Sequence, residues 1–321
     1  MKRGILSKLI APALLGLGLC LGAPAMAQTV SVSSIVEHPA LDSIRDGVKD
    51  VLDEKGYSDS GLKWQFQTAQ GNTAIAAQIA RKFVGDGSDV IVAISTPSAQ
   101  AVVAATKEIP IVYSGVTDPV AAQLVPTMEA SGTNVTGVSD ALSLEEQVDL
   151  ILKIVPEAKN IGMVYNPGEA NSVVVVERLR KILSDRDIGL VEATAARTVD
   201  VGAAARSLVG KVDAIYTNTD NNVVSAYESM VKVGNDAKIP LIAADTDSVE
   251  RGAIAALGVN YYNLGRQTGA MVDRILQGEN PGDIPSEYGE ELELYINIQA
   301  AEKQGVSIDE ALLAEASKII E

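Results

Sequence analysis

Two polar pairs, Ser95-Thr96 and Asp220-Asn221, stand at matching points of an internal repeat, each just after a short apolar run and just before a helix-length segment. Thr96 suits a helix N-cap and Pro97 the first helical position, where a missing N–H costs nothing. The amides left free at such an end, together with the positive end of the helix dipole, favour a carboxylate or phosphate by roughly 0.3–2 kcal/mol. Asp220 takes the same place in the second copy, where an anionic cap favours a ligand cation or hydroxyl instead. Asp118, Asp220, Asp245 and Asp247 read as one cluster would suit a hard cation or an acid/base pair. They fall in opposite halves of the chain, however, which suits clamping of a ligand from two sides. Glu37 and His38, the only histidine, lie in the first strand-to-helix loop, on the sheet edge that carries Thr96 and Thr117. Asn171 and Ser172 close the loop 166–172, which holds the matching place in the second half.

Other chemistries lack their parts. One histidine, a single cysteine at Cys20 and no Gly-x-Ser-x-Gly elbow leave neither a nucleophile–base constellation nor a common zinc site. No phosphate-binding Gly-x-x-x-x-Gly-Lys-Ser/Thr loop occurs. A formal net charge of −16 makes nucleic acid and anionic lipid poor partners. The residues therefore predict a binder, not an enzyme, with no cofactor and no metal.

The elements that must position these residues follow from the repeat. Asp89–Val120 and Asp213–Val249 share one plan: an Asp, an apolar run, a polar pair, a helix, then Ile-Pro opening a second run. Apolar runs separated by helix-length segments predict parallel βαβ units, whose strand-to-helix loops line one edge of the sheet, where ligands bind. Residues 30–36 predict a strand, followed by a helix to about residue 55 with Leu41, Ile44, Val48, Val51 and Leu52 on one face. Strands are also expected over 63–67, 189–194, 253–259 and 292–298. Helices are expected over 73–84, 97–107, 119–129, 143–154 and 200–209, with a capping box at Ser143 and Glu146. Residues 265–278 form a helix that the second half does not need, so the chain is expected to cross back there.

Residues 1–27 have a basic start, an apolar middle and Ala25-Met26-Ala27, the pattern of a secretory signal peptide. Leu19 before Cys20 departs from a lipoprotein signal, so soluble export is expected. Beyond it lie two lobes: residues 28–138 with 259–288, and residues 139–258 with 289–321.

EHPALD (37–42), STPSAQ (95–100), VTDPV (116–120), NVTGVSD (134–140), YNPGEANS (165–172), SLVGKVDAIY (207–216), TDN (219–221) and DTDSVERGAIAALGVNYYNLGRQTG (245–269) occur in that order. Together they resemble the tryptophan/tyrosine-type substrate-binding proteins of ABC transporters, over essentially the whole chain after the leader. The departures are Ser95 where alanine is expected and Asp247 where glycine is usual, the latter bearing on the ligand. The resemblance implies an α/β type I periplasmic-binding-protein fold, two doubly wound parallel-sheet lobes joined by three crossover strands, with the ligand in the cleft. It implies a periplasmic, monomeric binder of an aromatic amino acid (Trp, Phe or Tyr) that serves an ABC permease. The ligand-binding candidates are Glu37, His38, Ser95, Thr96, Thr117, Asp118, Asn171, Ser172, Asp220, Asn221 and Asp245. Thr96 would serve the α-carboxylate, and Asp220, Asp245 or Glu37 the α-ammonium. Tyr113 and Tyr165 are candidate walls. A sugar or other polar solute fits the same architecture, although the chain's one Trp and two Phe are few for stacking on sugar rings. A sensing domain is the third possibility.

Overall fold

The computed structural model describes residues 27–321; the expected leader, its last alanine apart, lies outside the described residues. The first sheet begins with β1 (Thr29–Ser34), β2 (Lys63–Thr68), β3 (Val90–Ile94), β4 (Ile111–Ser114) and β5 (Val135–Ser139). Buried on both faces, β1, β3, β4 and β5 carry the near-continuous apolar or small residues that a covered parallel sheet demands. Helices α1 (Pro39–Glu54), α2 (Thr73–Gly85) and α3 (Thr96–Ala105) cover it. The apolar stripe of α1 faces inward as its spacing predicts, burying Leu41, Ile44, Val48, Val51 and Leu52.

The second sheet is built on the same plan. Strands β6 (Asn160–Tyr165), β7 (Gly189–Thr194), β8 (Ala214–Thr217), β9 (Leu241–Ala243) and β10 (Ala255–Val259) alternate with α4 (Leu144–Ile154), α5 (Ala170–Ser184), α6 (Val201–Ser207), α7 (Asn221–Ser225), α8 (Tyr227–Ala237) and α9 (Asp247–Glu250). The single helix expected after β8 is thus broken at Ala226, which ends one helix and starts the next. The capping box is present in part: Ser143 caps α4 and its hydroxyl accepts from the Glu146 amide. The helix expected over 119–129 is absent. Asp118 caps a single turn at Ala121, Gln123 turns to a positive φ of 61°, and Pro126 cannot continue a helix.

The chain then returns. Helix α10 (Tyr261–Leu276) packs across α1, and β11 (Glu287–Tyr288) joins the first sheet. β12 (Leu292–Asn297), α11 (Ile298–Lys303), α12 (Glu310–Glu315) and β13 (Lys318–Ile320) complete the second lobe. The sheet orders are β11-β5-β4-β3-β1-β2 and β13-β12-β10-β9-β8-β6-β7. Against β10, β12 runs antiparallel; every other pairing among the described residues is parallel. The chain passes between sheets at 140–143, at Asn260 and at 289–291. Each order reverses beside its first strand, between β1 and β3 in one sheet and between β6 and β8 in the other. A ligand crevice is expected at each such switch point. The two switch points face each other.

Candidate ligand-binding site

The cavity between the lobes lies at the meeting of these switch points. From the first lobe His38, Ala40 and Leu41 follow β1, Ser95 and Thr96 follow β3, and Gly115 and Thr117 follow β4. Asn171 follows β6, Thr219, Asn221 and Val224 follow β8, and Asp245 follows β9. Asp140 and Tyr261 come from the passages between lobes.

Seven of the predicted residues thus line the cavity: His38, Ser95, Thr96, Thr117, Asn171, Asn221 and Asp245. Glu37 is exposed and does not. Ser172 and Asp220 are buried behind the wall: Asp220 Oδ2 accepts from Ser172 Oγ (2.6 Å) and the Asn166 amide (2.7 Å), and Oδ1 accepts from the Asn222 and Val223 amides (3.0 Å each). With four donors already on it, Asp220 is a structural cap and has no oxygen left for a ligand ammonium. Asp118 pairs across the cleft with Arg178 of α5. Tyr113 is buried in the first-lobe core and Tyr165 gives its hydroxyl to Glu192 (3.0 Å), so neither forms a wall of this cavity. Asp247 also lies off the wall. Its carboxyl is raised to about 6 by burial and by neighbouring Asp245.

Thr96 is not the cap of α3. Ser95 holds that position, with φ 78° and ψ 157°, and Thr96 is the first helical residue. This backbone region is nearly reserved for glycine and costs roughly 1–3 kcal/mol. Backbone bonds hold it in place: the Ser95 amide donates to the Ser114 carbonyl (2.9 Å) and its carbonyl accepts from the Ala99 amide (3.0 Å). Neither the Ser95 nor the Thr96 hydroxyl, both buried, has a partner among the described residues. Two free hydroxyls therefore join the first-turn amides of α3 at the cavity wall, where a helix end also lacks intrahelical acceptors.

Acceptors dominate elsewhere in the wall. Asp140 Oδ2 accepts from the Tyr261 hydroxyl at 2.9 Å, whereas Oδ1, fully buried, has no partner. Asp245 accepts from the Ser248 amide and hydroxyl, both at 2.8 Å. Burial raises both carboxyls above the usual range. Asn171 gives its amide hydrogens to Glu169 (3.3 Å) and the Thr219 carbonyl (3.1 Å), leaving Oδ1 unpaired. His38 caps α1, its Nδ1 accepting from the Leu41 amide (3.5 Å). Burial first, and Arg251 second, pull it down to about 3, so it is a neutral imidazole. No cationic side chain lines the cavity. Among the described residues there is no His/Cys/Asp/Glu group arranged for a metal, and no helix long and apolar enough to cross a membrane.

Asp140 and Tyr261 were not among the sequence candidates. They belong to crossovers, not to strand-to-helix loops. The available signal was the Asp ending NVTGVSD, on the same sheet edge as Thr117.

Residues 29–320 match the family model described as ABC transporter substrate binding protein. A tyrosine-binding protein of Clostridioides difficile is 42% identical over 88% of this chain and 83% of its own. Among solved structures, an ABC domain from Streptococcus pneumonia in complex with L-Trp superposes with a TM-score of 0.88 at 33% identity, covering 92% of this chain and all of that one (100%). The ligand-free, open structure of a substrate-binding protein with adhesive properties from Clostridium difficile gives 0.68 at 39% identity, covering 92% and 99%. A glucose-galactose binding protein of Geobacillus stearothermophilus, at 14% identity and a TM-score of 0.63, shares the fold alone. With its two facing switch points and its interlobe cavity, the chain has the type I periplasmic-binding-protein fold and belongs to the family of ABC transporter substrate-binding proteins.

Proposed function

We propose that the protein captures an aromatic α-amino acid between its lobes and delivers it, untransformed, to a membrane permease driven by an ATPase. The observation that carries this reading is the division of unpaired polar atoms around the cavity. Hydroxyls and helix amides at Ser95 and Thr96 offer donors for an α-carboxylate. Asp140 Oδ1 and Asn171 Oδ1, with Asp245 nearby, offer acceptors for an α-ammonium. A zwitterion meets both sets. With no lysine or arginine in the lining, the ligand itself must supply the cation. The tyrosine-binding relative and the L-Trp complex support an aromatic side chain. Export to the periplasm behind a cleaved leader and action as a monomer complete the reading.

Titration calorimetry with L-tyrosine and L-tryptophan, and with tyramine and tryptamine, tests it. The amino acids should bind at least a hundredfold more tightly than the amines, because an amine leaves the hydroxyl pole unpaired. Equal affinity for acid and amine would remove the carboxylate pole, and binding of glucose but no amino acid would overturn the reading.

A further inference from the structure

Beside the main cavity lies a second compartment, which shares Thr117, Asp140 and Thr219 with it. The partition includes side chains alone in contact: the Thr117 and Thr219 hydroxyls meet at 3.4 Å. Leu142, Leu144, Val175 and Ala244 line the second compartment, together with the polar groups of Asp140, Asn218 and the two threonines, and Arg178, tied to Asp118, stands at its edge.

One buried polar atom of this compartment is unexplained. Asn218, 2% exposed, lines it, and its Oδ1 has no partner. The orientation of that amide is fixed by a relay. Ser172 donates its only hydroxyl hydrogen to Asp220 (2.6 Å), so it must accept from Asn218 Nδ2 (3.1 Å). Asn218 therefore presents an acceptor, not a donor, to the compartment.

We infer that this compartment is the side-chain subsite, and that Asn218 Oδ1 selects an aromatic ring carrying a hydrogen-bond donor, a phenol or an indole, over a plain phenyl ring. This rests on the amino-acid reading above. An ammonium on Asp140, at the junction, places the ligand's Cα there, sends the carboxylate toward Ser95 and Thr96, and leaves the second compartment, with the aliphatic side chains of Leu142, Leu144, Val175 and Ala244, for the ring. A phenyl group would fill the same walls but leave Asn218 Oδ1 buried and unpaired, the situation against which sites of this kind discriminate most strongly.

The test is calorimetric titration of the full chain with L-tyrosine, L-tryptophan, L-phenylalanine, 4-aminophenylalanine and O-methyltyrosine. Tyrosine, tryptophan and 4-aminophenylalanine, which keep a donor, should bind at least tenfold more tightly than phenylalanine and O-methyltyrosine, which lack one. In Asn218→Leu the preference for tyrosine over phenylalanine should fall by tenfold or more. The ligand series on the unmodified protein decides the matter even where that variant fails to fold. Phenylalanine and O-methyltyrosine within threefold of tyrosine would overturn the subsite, as would an unchanged preference in a folded Asn218→Leu. Those results would leave amino-acid binding standing, whereas failure of all five compounds to bind would sink the amino-acid reading together with the subsite.

Discussion

Glu169 shows what a buried carboxylate does when its neighbours are amides and another carboxylate. It is 5% exposed and accepts from the Asn221 amide (3.1 Å) and from the side chains of Asn166 (3.2 Å), Asn171 (3.3 Å) and Asn221. Burial, then the charge of Asp220, raises it from 4.5 to about 7. Between those values the folded chain holds a proton that the unfolded chain has lost. The stability from this group is therefore fully present below pH 4.5 and disappears as pH rises through 7. At about 1.4 kcal/mol per unit, roughly 3 kcal/mol is at stake. Measured by urea denaturation, the stability advantage of the natural protein over Glu169→Gln should shrink as pH rises across that window; an advantage that grows with pH would mean that Glu169 is ionised throughout. The polar pairs after each strand were legible in sequence because turn chemistry marks them. Which side of the wall each would occupy was not. Ser172 and Asp220 carry the same local signal as Asn171 and Asn221, and only packing turned them inward.

At the scale of elements, the return of α10 to the first lobe was legible from its sequence, since a helix beyond the second lobe's needs has to pack elsewhere. The role of its glycines was not. A Cβ on Gly265 would stand 2.3 Å from the Ile44 carbonyl oxygen, and one on Gly47 of α1 would stand 2.3 Å from that of Tyr262. The two helices thus touch backbone to backbone, where relief would require a helix to move. Gly265→Ala should lower stability by about 1–3 kcal/mol or more. Gly85→Ala, near the end of α2 with nothing within 4 Å of its added methyl, should be neutral or stabilising by up to about 1 kcal/mol. Similar denaturation midpoints for the two variants would show that α10 slides freely on α1. The absent helix at 119–129 is the converse case. A helix was expected there, but Gln123, with its positive φ, and Pro126 decided the backbone.

The whole molecule is two lobes on three short connections. The L-Trp complex superposes at 0.88 with 33% identity and the open, ligand-free structure at 0.68 with 39%. Sequence distance would order them the other way, so the difference lies in how the lobes are set against each other. Here they are closed, with the Arg178–Asp118 pair and the Thr117–Thr219 contact spanning the cleft. An exposed ion pair contributes about 0–1 kcal/mol, too little to hold the cleft shut alone. Ligand should therefore drive closure, and adding L-tyrosine or L-tryptophan should reduce the radius of gyration in X-ray scattering. An unchanged radius at calorimetrically verified saturation would count against a hinge.

The same three connections set an order of events in time. Val259, Tyr261, Leu264, Met271, Val272, Ile275 and Ile284 belong to the core of the first lobe, yet the strands β6 to β10 of the second lobe precede most of them in the chain. The first lobe has no finished interior until nearly all of the protein has been synthesised. Its last pieces must close a loop of more than a hundred residues, a slow entropic step. An N-terminal portion ending before α10 should stay collapsed but unlocked. The nascent chain thus remains without a completed first domain almost to the end of its synthesis.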